Sequence, residues 1–424
     1  RGLGDVYKRQ NMKILFITIG FAPYSFSESL CNSKLVLAMQ EKGWEIDVIS
    51  RRDNGTNYSV EWGEPWSRLK AITHHVEYPL GNKIWRFVDI VKSSIKMDCF
   101  FIEGIRWAAH AYDLACKLCD GKKYDVIMTR SPSDIPHIVG YKLSKKTGIK
   151  WISNWNDPAA TIWPEPYTYH FSKRKLRTLR RYERLCLMNS DAITYPAETL
   201  GSIFKKTYSF LSKKLCMEIP HIALIEGIVQ QKKYEKQKIF SLCHSGNLSI
   251  ERNPENIFRA IRELIDELNI CMRFDIMGYA NEFVLQLVSK YHLEKTVHFI
   301  GSYSYIEAMG ILQNYDVLVL IEAILDYGIF FPSKLVDYAQ SNRPILAVSP
   351  INGYVAKTIN EYGGGIAVDN TQYKQIKNGL KMMFDKWNNN TLQSDYDLVT
   401  LKDHYNTDSV IDQYMTLFRK SDVI

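Results

Sequence analysis

Residues 330–346 read FFPSKLVDYAQSNRPIL, and the fold of the chain is decided there. An apolar segment ends at Pro332 and Ser333, a short helical pattern carries Lys334 and Asp337, and Pro344 opens a second apolar run. Ser333 suits the N-cap of that helix, or Pro332 its first residue. Positions 334 and 337 are i and i+3, so their side chains share a face about 4.5 Å apart along the axis. Exposed on a surface, such an ion pair would contribute only about 0.3 kcal/mol. The flanking apolar runs say more. Two buried strands with a helix between them place the helix start at the carboxyl edge of a parallel sheet, where ligands bind. A phosphate on that helix N-terminus would have Lys334 as its point charge, and Asp337 would accept hydrogen bonds from a vicinal diol, as an acidic residue does for ribose.

The same alternation extends in both directions. Downstream of 239 it runs IFSLCHSG (239–246), a helix near 254–268, MRFDIMG (272–278), a helix, VHFIGS (297–302), a helix, DVLVLI (316–321), the helix of 334–340, ILAVS (345–349), a helix, and GIAVD (365–369). Upstream are KILFITI (13–19), a helix over 28–43 stopped by Gly43, EIDVIS (45–50), YDVIMTR (124–130), a helix near 136–147, KWISNW (150–155), a basic helix near 172–189, and DAITYPA (191–197). Short apolar runs separated by helical stretches of ten to fifteen residues predict right-handed βαβ units and parallel sheets. The fold class is therefore α/β, with two tandem Rossmann-like doubly wound domains. A chain of 424 residues exceeds one hydrophobic core, which agrees. The expected layout is a first domain over 12–229, a polar linker QQKKYEKQK at 230–238, a second domain over 239–400, and a helical segment over 401–424 that packs back on the first domain. Residues 51–120 give no secure order of elements. Residues 1–11, RGLGDVYKRQN, lack an apolar core and read as non-native adapter sequence.

A second loop in the latter domain has the composition of a ligand loop. In HSGNLSIERNPENIFRAI (244–261), Gly246 permits close approach of backbone to a ligand, and Asn253 with Pro254 can open a helix. Arg252 then stands beside a helix N-terminus that favours anions. The competing reading is a capped surface helix with a solvated arginine.

These motifs, with KILFIT, FAPYS and LVLAMQEKGWEIDVIS near the start, resemble the retaining GT-B glycosyltransferases of family 4 (group 1) over nearly the whole chain from Met12. The resemblance implies a GT-B architecture with an interdomain cleft, a nucleoside diphospho-sugar donor bound by the second domain, an acceptor bound by the first, and no cofactor or metal. In that family two cations of the glycine loop bind the donor diphosphate; here their places hold Asn247 and Arg252. Of the family's two glutamates, the one that holds ribose falls on Asp337 and the other on Ile329, so Glu322 at its strand end would supply the missing carboxylate. The donor set implied is then Gly246, Asn247, Ser333, Asp337 and Glu322, with Arg252 and Lys334 stabilising the leaving diphosphate.

On the acceptor side, TRSPSDIPH (129–137) and WISNWNDPAATIWPEPY (151–167) resemble the family segment in which a strand ends in an aspartate before proline and aromatics. Asp157 is the candidate catalytic carboxylate, with Tyr24, Ser25 and His137 as candidate cleft residues. A lone histidine at a helix start is more often structural. The segment FSKRKLRTLRRYERL (171–185) holds seven cations against one glutamate. It reads either as a solvated helix face or as a peripheral membrane surface attracted to anionic lipid, which would fit a lipid-linked glycan acceptor and polysaccharide biosynthesis at the inner face of the membrane.

The remaining features exclude more than they suggest. The net charge of +8 suits anionic small molecules or a membrane surface and does not imply nucleic acid. Cys116 and Cys119 form the one C-x-x-C, with no second pair to complete a zinc site, so reduced thiols of a cytoplasmic protein are expected. The one D-x-D, Asp395-Tyr396-Asp397, lies in a polar segment away from any strand end and reads as a surface coincidence. Two alternatives to transfer stay open: a sugar-nucleotide epimerase or hydrolase of the same fold, and a noncatalytic partner subunit, for which Ile329 and Asn247 speak.

Overall fold

The structure, a computed structural model, describes residues 12–24, 26–51, 65–77, 81–100 and 102–424. The expectations placed on residues 1–11 and on Ser25 lie outside them. Thirteen strands occur among the described residues: β1 (Lys13–Thr18), β2 (Glu45–Arg51), β3 (Ile72–Val76), β4 (Val126–Arg130), β5 (Lys150–Asn154), β6 (Ala192–Tyr195), β7 (Cys216–Glu218), β8 (Phe240–Ser245), β9 (Met272–Met277), β10 (Val297–Phe299), β11 (Val317–Ile321), β12 (Ile345–Ser349) and β13 (Gly365–Asp369). They form a seven-stranded sheet in the order β3-β2-β1-β4-β5-β6-β7 and a six-stranded sheet in the order β10-β9-β8-β11-β12-β13. Every pairing is parallel. Strands β4, β11 and β12 are buried along their whole length, as parallel strands covered by helices on both faces must be.

In the second sheet the order reverses between β8 and β11, and in the first between β1 and β4. Ligands of open α/β sheets bind beyond the carboxyl ends of the strands at such reversals. The loops after β8 and β11 are the two singled out by composition, 246–253 and 322–333.

The chain divides into two units, one of residues up to Pro220 with Val410–Ile424, the other His221–Ser409. In the second unit the helix Glu255–Leu268 lays Ile257, Phe258, Ile261 and Leu264 against Phe240, Phe274 and Val319 of the sheet. The stretch 230–238 is not a linker: it lies on this unit. Tyr234 Oη donates to Asp316 Oδ1 at 2.6 Å, and Lys232 N donates to Gln313 Oε1 at 2.7 Å. Its polarity reflects an outer face and not a free tether, and the division falls nine residues earlier, between Pro220 and His221. The second unit likewise runs past residue 400. It keeps the helix Leu398–His404 and Tyr405, whose hydroxyl lies 3.2 Å from that of Tyr354. From Val410 onward the last helix belongs to the first unit, where the Phe418 ring stands 5.5 Å from Trp44.

The region 51–120, unordered by sequence, supplies β3 and the helices Lys83–Met97 and Ile105–Gly121. Cys116 and Cys119 are free thiols on the latter. Among the described residues no group of three metal-ligating side chains converges, and no helix is long and apolar enough to cross a membrane.

Candidate functional site

Strand β8 ends at Ser245, and Gly246 then takes φ of +113°, a left-handed conformation in which any side chain is strained. A Cβ placed on Gly246 would lie 3.0 Å from Lys334 Nζ, so the ammonium rests over bare backbone at this turn. The turn is pinned from beneath. Tyr338, fully buried, accepts a hydrogen bond from Ser245 N at 2.7 Å and sits within 3.3 Å of the Val319 carbonyl, fastening the helix Lys334–Gln340 to β8 and β11. Asn247 braces the loop from the other side, its Oδ1 accepting from Tyr279 N at 3.0 Å.

Arg252 is exposed, with its backbone N donating to Ser249 Oγ at 3.2 Å. Asn253 Oδ1 accepts from Glu255 N at 2.8 Å, but the N-cap position of the helix Glu255–Leu268 falls one residue later than the sequence predicts, on Pro254, which has no side-chain cap. Ser333 departs from expectation. It occupies the N-cap position of Lys334–Gln340 in helical backbone conformation, and its side chain makes no capping bond. Asp337 Oδ1 accepts from Tyr305 Oη at 2.6 Å, which orients the carboxylate.

Glu322 is the residue that gives the site its character. It follows β11 and is 7% exposed, and Oε1 has no hydrogen-bond partner among the described residues. Its main chain, by contrast, is fixed: the N–H donates to Val348 O at 3.0 Å, and the Glu322 and Ala323 carbonyls accept from Asn370 Nδ2. Burial pushes the carboxyl up to about 7, against the pull of Arg252 and Lys334. The same burial, aided by Arg252 and opposed by Glu322 and Asp337, brings the Lys334 ammonium down to about 8. An exposed guanidinium, a half-buried ammonium and a buried, unsatisfied carboxylate thus act on one another at the β8/β11 reversal. Ile329, at 1% exposure, is core and supplies nothing polar. Sequence reasoning missed His244, one residue before the turn. It is buried and held neutral by burial with Lys334 and Arg252 nearby, its Nδ1 2.9 Å from the Val319 carbonyl.

In the first unit, the loops at the carboxyl ends of β4 and β5 gather a buried polar network. Arg130 donates through Nε to Asn32 Oδ1 at 2.5 Å and through Nη1 to Tyr414 Oη at 3.2 Å, and Glu28 Oε1 accepts from Asn156 Nδ2 at 2.5 Å. Burial pushes Glu28 up to about 8, with Arg130 opposing and Asp157 adding to the rise. Asp157 itself is pushed up to about 6 by burial. The carboxylate expected of this domain is therefore set beside a second one, Glu28, that composition did not single out. Tyr24 is half-buried, its ring edge-on to His75 at 6.3 Å.

His137 is not a cleft residue. It is fully buried, its ring 4.2 Å from that of Trp155, with Thr129 Oγ1 2.8 Å from Nδ1, and burial brings its pKa down to about 3. In the unfolded chain an ordinary histidine binds a proton near pH 6.5, so acidification favours unfolding throughout the window from about 6.5 to about 3. We expect stability measured by denaturant melts to fall by at most about 1.4 kcal/mol per pH unit there on this account, and the slope to flatten in His137→Phe. The D-x-D is structural as well: Asp395 pairs with Lys386, and Asp397 caps the helix Leu398–His404 through Val399 N and Thr400 N.

With this geometry in place, the likeness to known proteins can be stated. Sucrose-phosphate synthase of Thermosynechococcus elongatus superposes with a TM-score of 0.66 at 14% identity, covering 96% of this chain and 98% of that one. Anabaena HepE in complex with UDP gives 0.65 at 13%, covering 96% and 100%. A glycosyltransferase of Rickettsia africae gives 0.65 at 12%, covering 97% and 98%. No curated protein matches the sequence. At such identities the likeness shows the fold, which is the two-sheet α/β fold of GT-B glycosyltransferase structures. Residues 226–395, the stretch that holds both ligand loops and the β8/β11 reversal, match the family described as glycosyl transferases group 1.

Proposed function

We propose that the chain is a glycosyltransferase that moves a sugar, with retention, from a nucleoside diphospho-sugar to a glycan or lipid-linked acceptor in cell-surface polysaccharide biosynthesis. The observation that carries this reading is the convergence of Arg252, Lys334 and the unsatisfied Glu322 at the β8/β11 reversal. A diphosphate placed over Gly246 meets the Lys334 ammonium and the Arg252 guanidinium. Negative charge that develops on the leaving group is then stabilised by groups already in position. These two cations take the part a metal would otherwise play, so metal-independent transfer is expected. Asp337, oriented by Tyr305, accepts from the ribose diol, and Glu322 Oε1 is free to accept from a donor sugar hydroxyl, in the role that Ile329 cannot fill. Asp157, beside Glu28 at the carboxyl end of β5, is the carboxylate assigned to the acceptor. The UDP bound by Anabaena HepE supports a nucleotide donor. The basic segment 171–185 is assigned to contact with an anionic membrane at its cytoplasmic face. A noncatalytic partner subunit, for which the apolar Ile329 speaks, would bind nucleotide without turnover.

The charge on Lys334 gives a direct test. In the free protein the ammonium persists below about pH 8 and is lost above it. A bound diphosphate favours the charged form, so affinity for UDP is expected to weaken by up to about tenfold per pH unit above that value. Lys334→Arg, which stays charged, should bind with a flat profile over the same range. Calorimetric titration of UDP against pH checks both, and a wild-type profile as flat as that of the variant would remove Lys334 from the diphosphate site.

A further inference from the structure

The helix Lys83–Met97, KIWRFVDIVKSSIKM, turns its apolar face away from the protein. At 100° per residue, Ile84, Phe87, Val91 and Ile95 fall within an arc of about 80°. All four face outward, with exposures of 74%, 64%, 38% and 64%, and Trp85, about 80° further round the helix at the Lys92 border, is 66% exposed. The side that packs inward carries Ser93 and Ser94, both buried, with Met97. A surface helix of a globular domain ordinarily does the reverse, burying its apolar stripe and exposing its serines. This inversion needs an occupant for the outer face.

The charges around the stripe indicate what that occupant is. Lys83 and Lys92 stand about 90° to either side of its centre, and Arg86 and Lys96 lie beyond them. The helix has one carboxylate, Asp89, and it is engaged within the domain by Arg106 and by His110 at 3.7 Å. On one flank Lys96 pairs with Asp113 of the helix Ile105–Gly121 at 2.5 Å, which leaves Lys83, Arg86 and Lys92 as the other cations of this helix, and the basic helix on the other flank adds more positive charge. Tyr182, on the basic helix Lys173–Asn189, donates its hydroxyl to the Asp98 carbonyl at 2.9 Å and accepts from Phe100 N at 3.2 Å, tying the two helices together. All seven cations of 171–185 are exposed. An apolar stripe with an interfacial tryptophan, bordered by lysines whose stems can follow it inward, matches a layer that is apolar inside and anionic at its surface. A protein partner would more often be met by an apolar patch with charges of both signs at its rim.

We propose that the helix Lys83–Met97 lies in the interface of an anionic bilayer, with Ile84, Phe87, Val91 and Ile95 at the acyl boundary and Lys83 and Lys92 reaching lipid phosphates. This deepens the membrane contact assigned above to 171–185, and it does not depend on sugar transfer. The test is flotation of the full chain with vesicles of phosphatidylcholine alone and of phosphatidylcholine with phosphatidylglycerol. The wild type should float with the anionic vesicles, less so at high salt. Replacement of all four stripe residues (Ile84→Ser, Phe87→Ser, Val91→Ser, Ile95→Ser) should lower partitioning by roughly tenfold or more, with far-UV circular dichroism unchanged because the four side chains face outward. Quenching of tryptophan fluorescence by brominated lipid, present in the wild type and reduced in Trp85→Phe, reads the same contact without touching the stripe. Neutralising Arg177, Arg180 and Arg181 should weaken flotation while leaving Trp85 quenching in the bound fraction, so the two helices are separable. Failure of the wild type to float, a stripe variant that floats as well as the wild type, or a stripe that instead holds two copies together in light scattering would each overturn the proposal.

Discussion

Lys334→Ala is expected to lower kcat for the nucleotide-sugar by roughly 10²- to 10³-fold, the loss of about 3 kcal/mol that follows removal of one preorganised donor from a developing anion. The size of the effect comes from where the ammonium sits. It is half-buried at the β8/β11 reversal, 3.0 Å from the place a Cβ on Gly246 would take. Burial also strengthens its interaction with a phosphate, since the effective dielectric there is below that of water. Gly246→Ala should give a related loss for a different reason. The residue takes φ of +113°, and the added methyl would meet Lys334 Nζ, so both turn and ammonium must shift. Steady-state kinetics with folded variants check both. A Lys334→Ala enzyme with kcat within a factor of about three of wild type would show that the ammonium does not touch the leaving group.

Glu322→Ala should separate sugar recognition from nucleotide recognition. Oε1 of Glu322 is buried without a hydrogen-bond partner among the described residues, and an acceptor in that state is a standing cost unless a ligand donor meets it. If a donor sugar hydroxyl is that group, the variant loses roughly 10²-fold in kcat/KM for the intact donor, since buried hydrogen bonds to a charged group are worth about 2–3 kcal/mol. UDP alone carries no such hydroxyl. Its affinity should hold or rise, because a negative group near the diphosphate has been removed. Parallel calorimetry with UDP and kinetics with the UDP-sugar gives the answer. Equal losses in both would mean that Glu322 supports the loop and does not read the sugar. The pH dependence has a definite sign too. The carboxyl is raised from an ordinary 4.5 to about 7, so its contribution to stability is fully present below about 4.5 and is lost as pH rises toward about 7.

Both candidate ligand loops were legible in the sequence because each carries its signal locally. Gly246 follows a strand buried along five of its six residues, and Lys334 opens a helix between two wholly buried strands. The reversal between β8 and β11 follows once those strands are ordered. What escaped was set by distant partners or by position at an edge. Strand β3, ITHHV, is half-exposed at the margin of its sheet and lacks the apolar run of a central strand; β7 is three half-buried residues at the opposite margin. Glu28 and Arg130 are 102 positions apart, and nothing local announces that Asn32, Asn156 and Tyr414 join them. His137 shows the reverse error. A histidine beside Asp134 and Pro136 resembles a loop ligand in one dimension, and only packing against Trp155 reveals it as core. The segment 230–238 misled because a polar run can be tethered to a domain through its backbone and lysine stems as easily as it can hang free between two.

The central claim is that the second unit binds a nucleoside diphosphate between the turn at Gly246 and the start of the helix Lys334–Gln340. Isothermal titration of UDP and of GDP into the wild type and into the double variant Arg252→Ala, Lys334→Ala tests it most directly. The account predicts saturable binding of at least one nucleotide by the wild type and a loss of roughly 10²-fold or more in the variant, in line with the removal of two charge-assisted contacts. Equal affinity in the two proteins, or no binding of either nucleotide by the wild type, would contradict it.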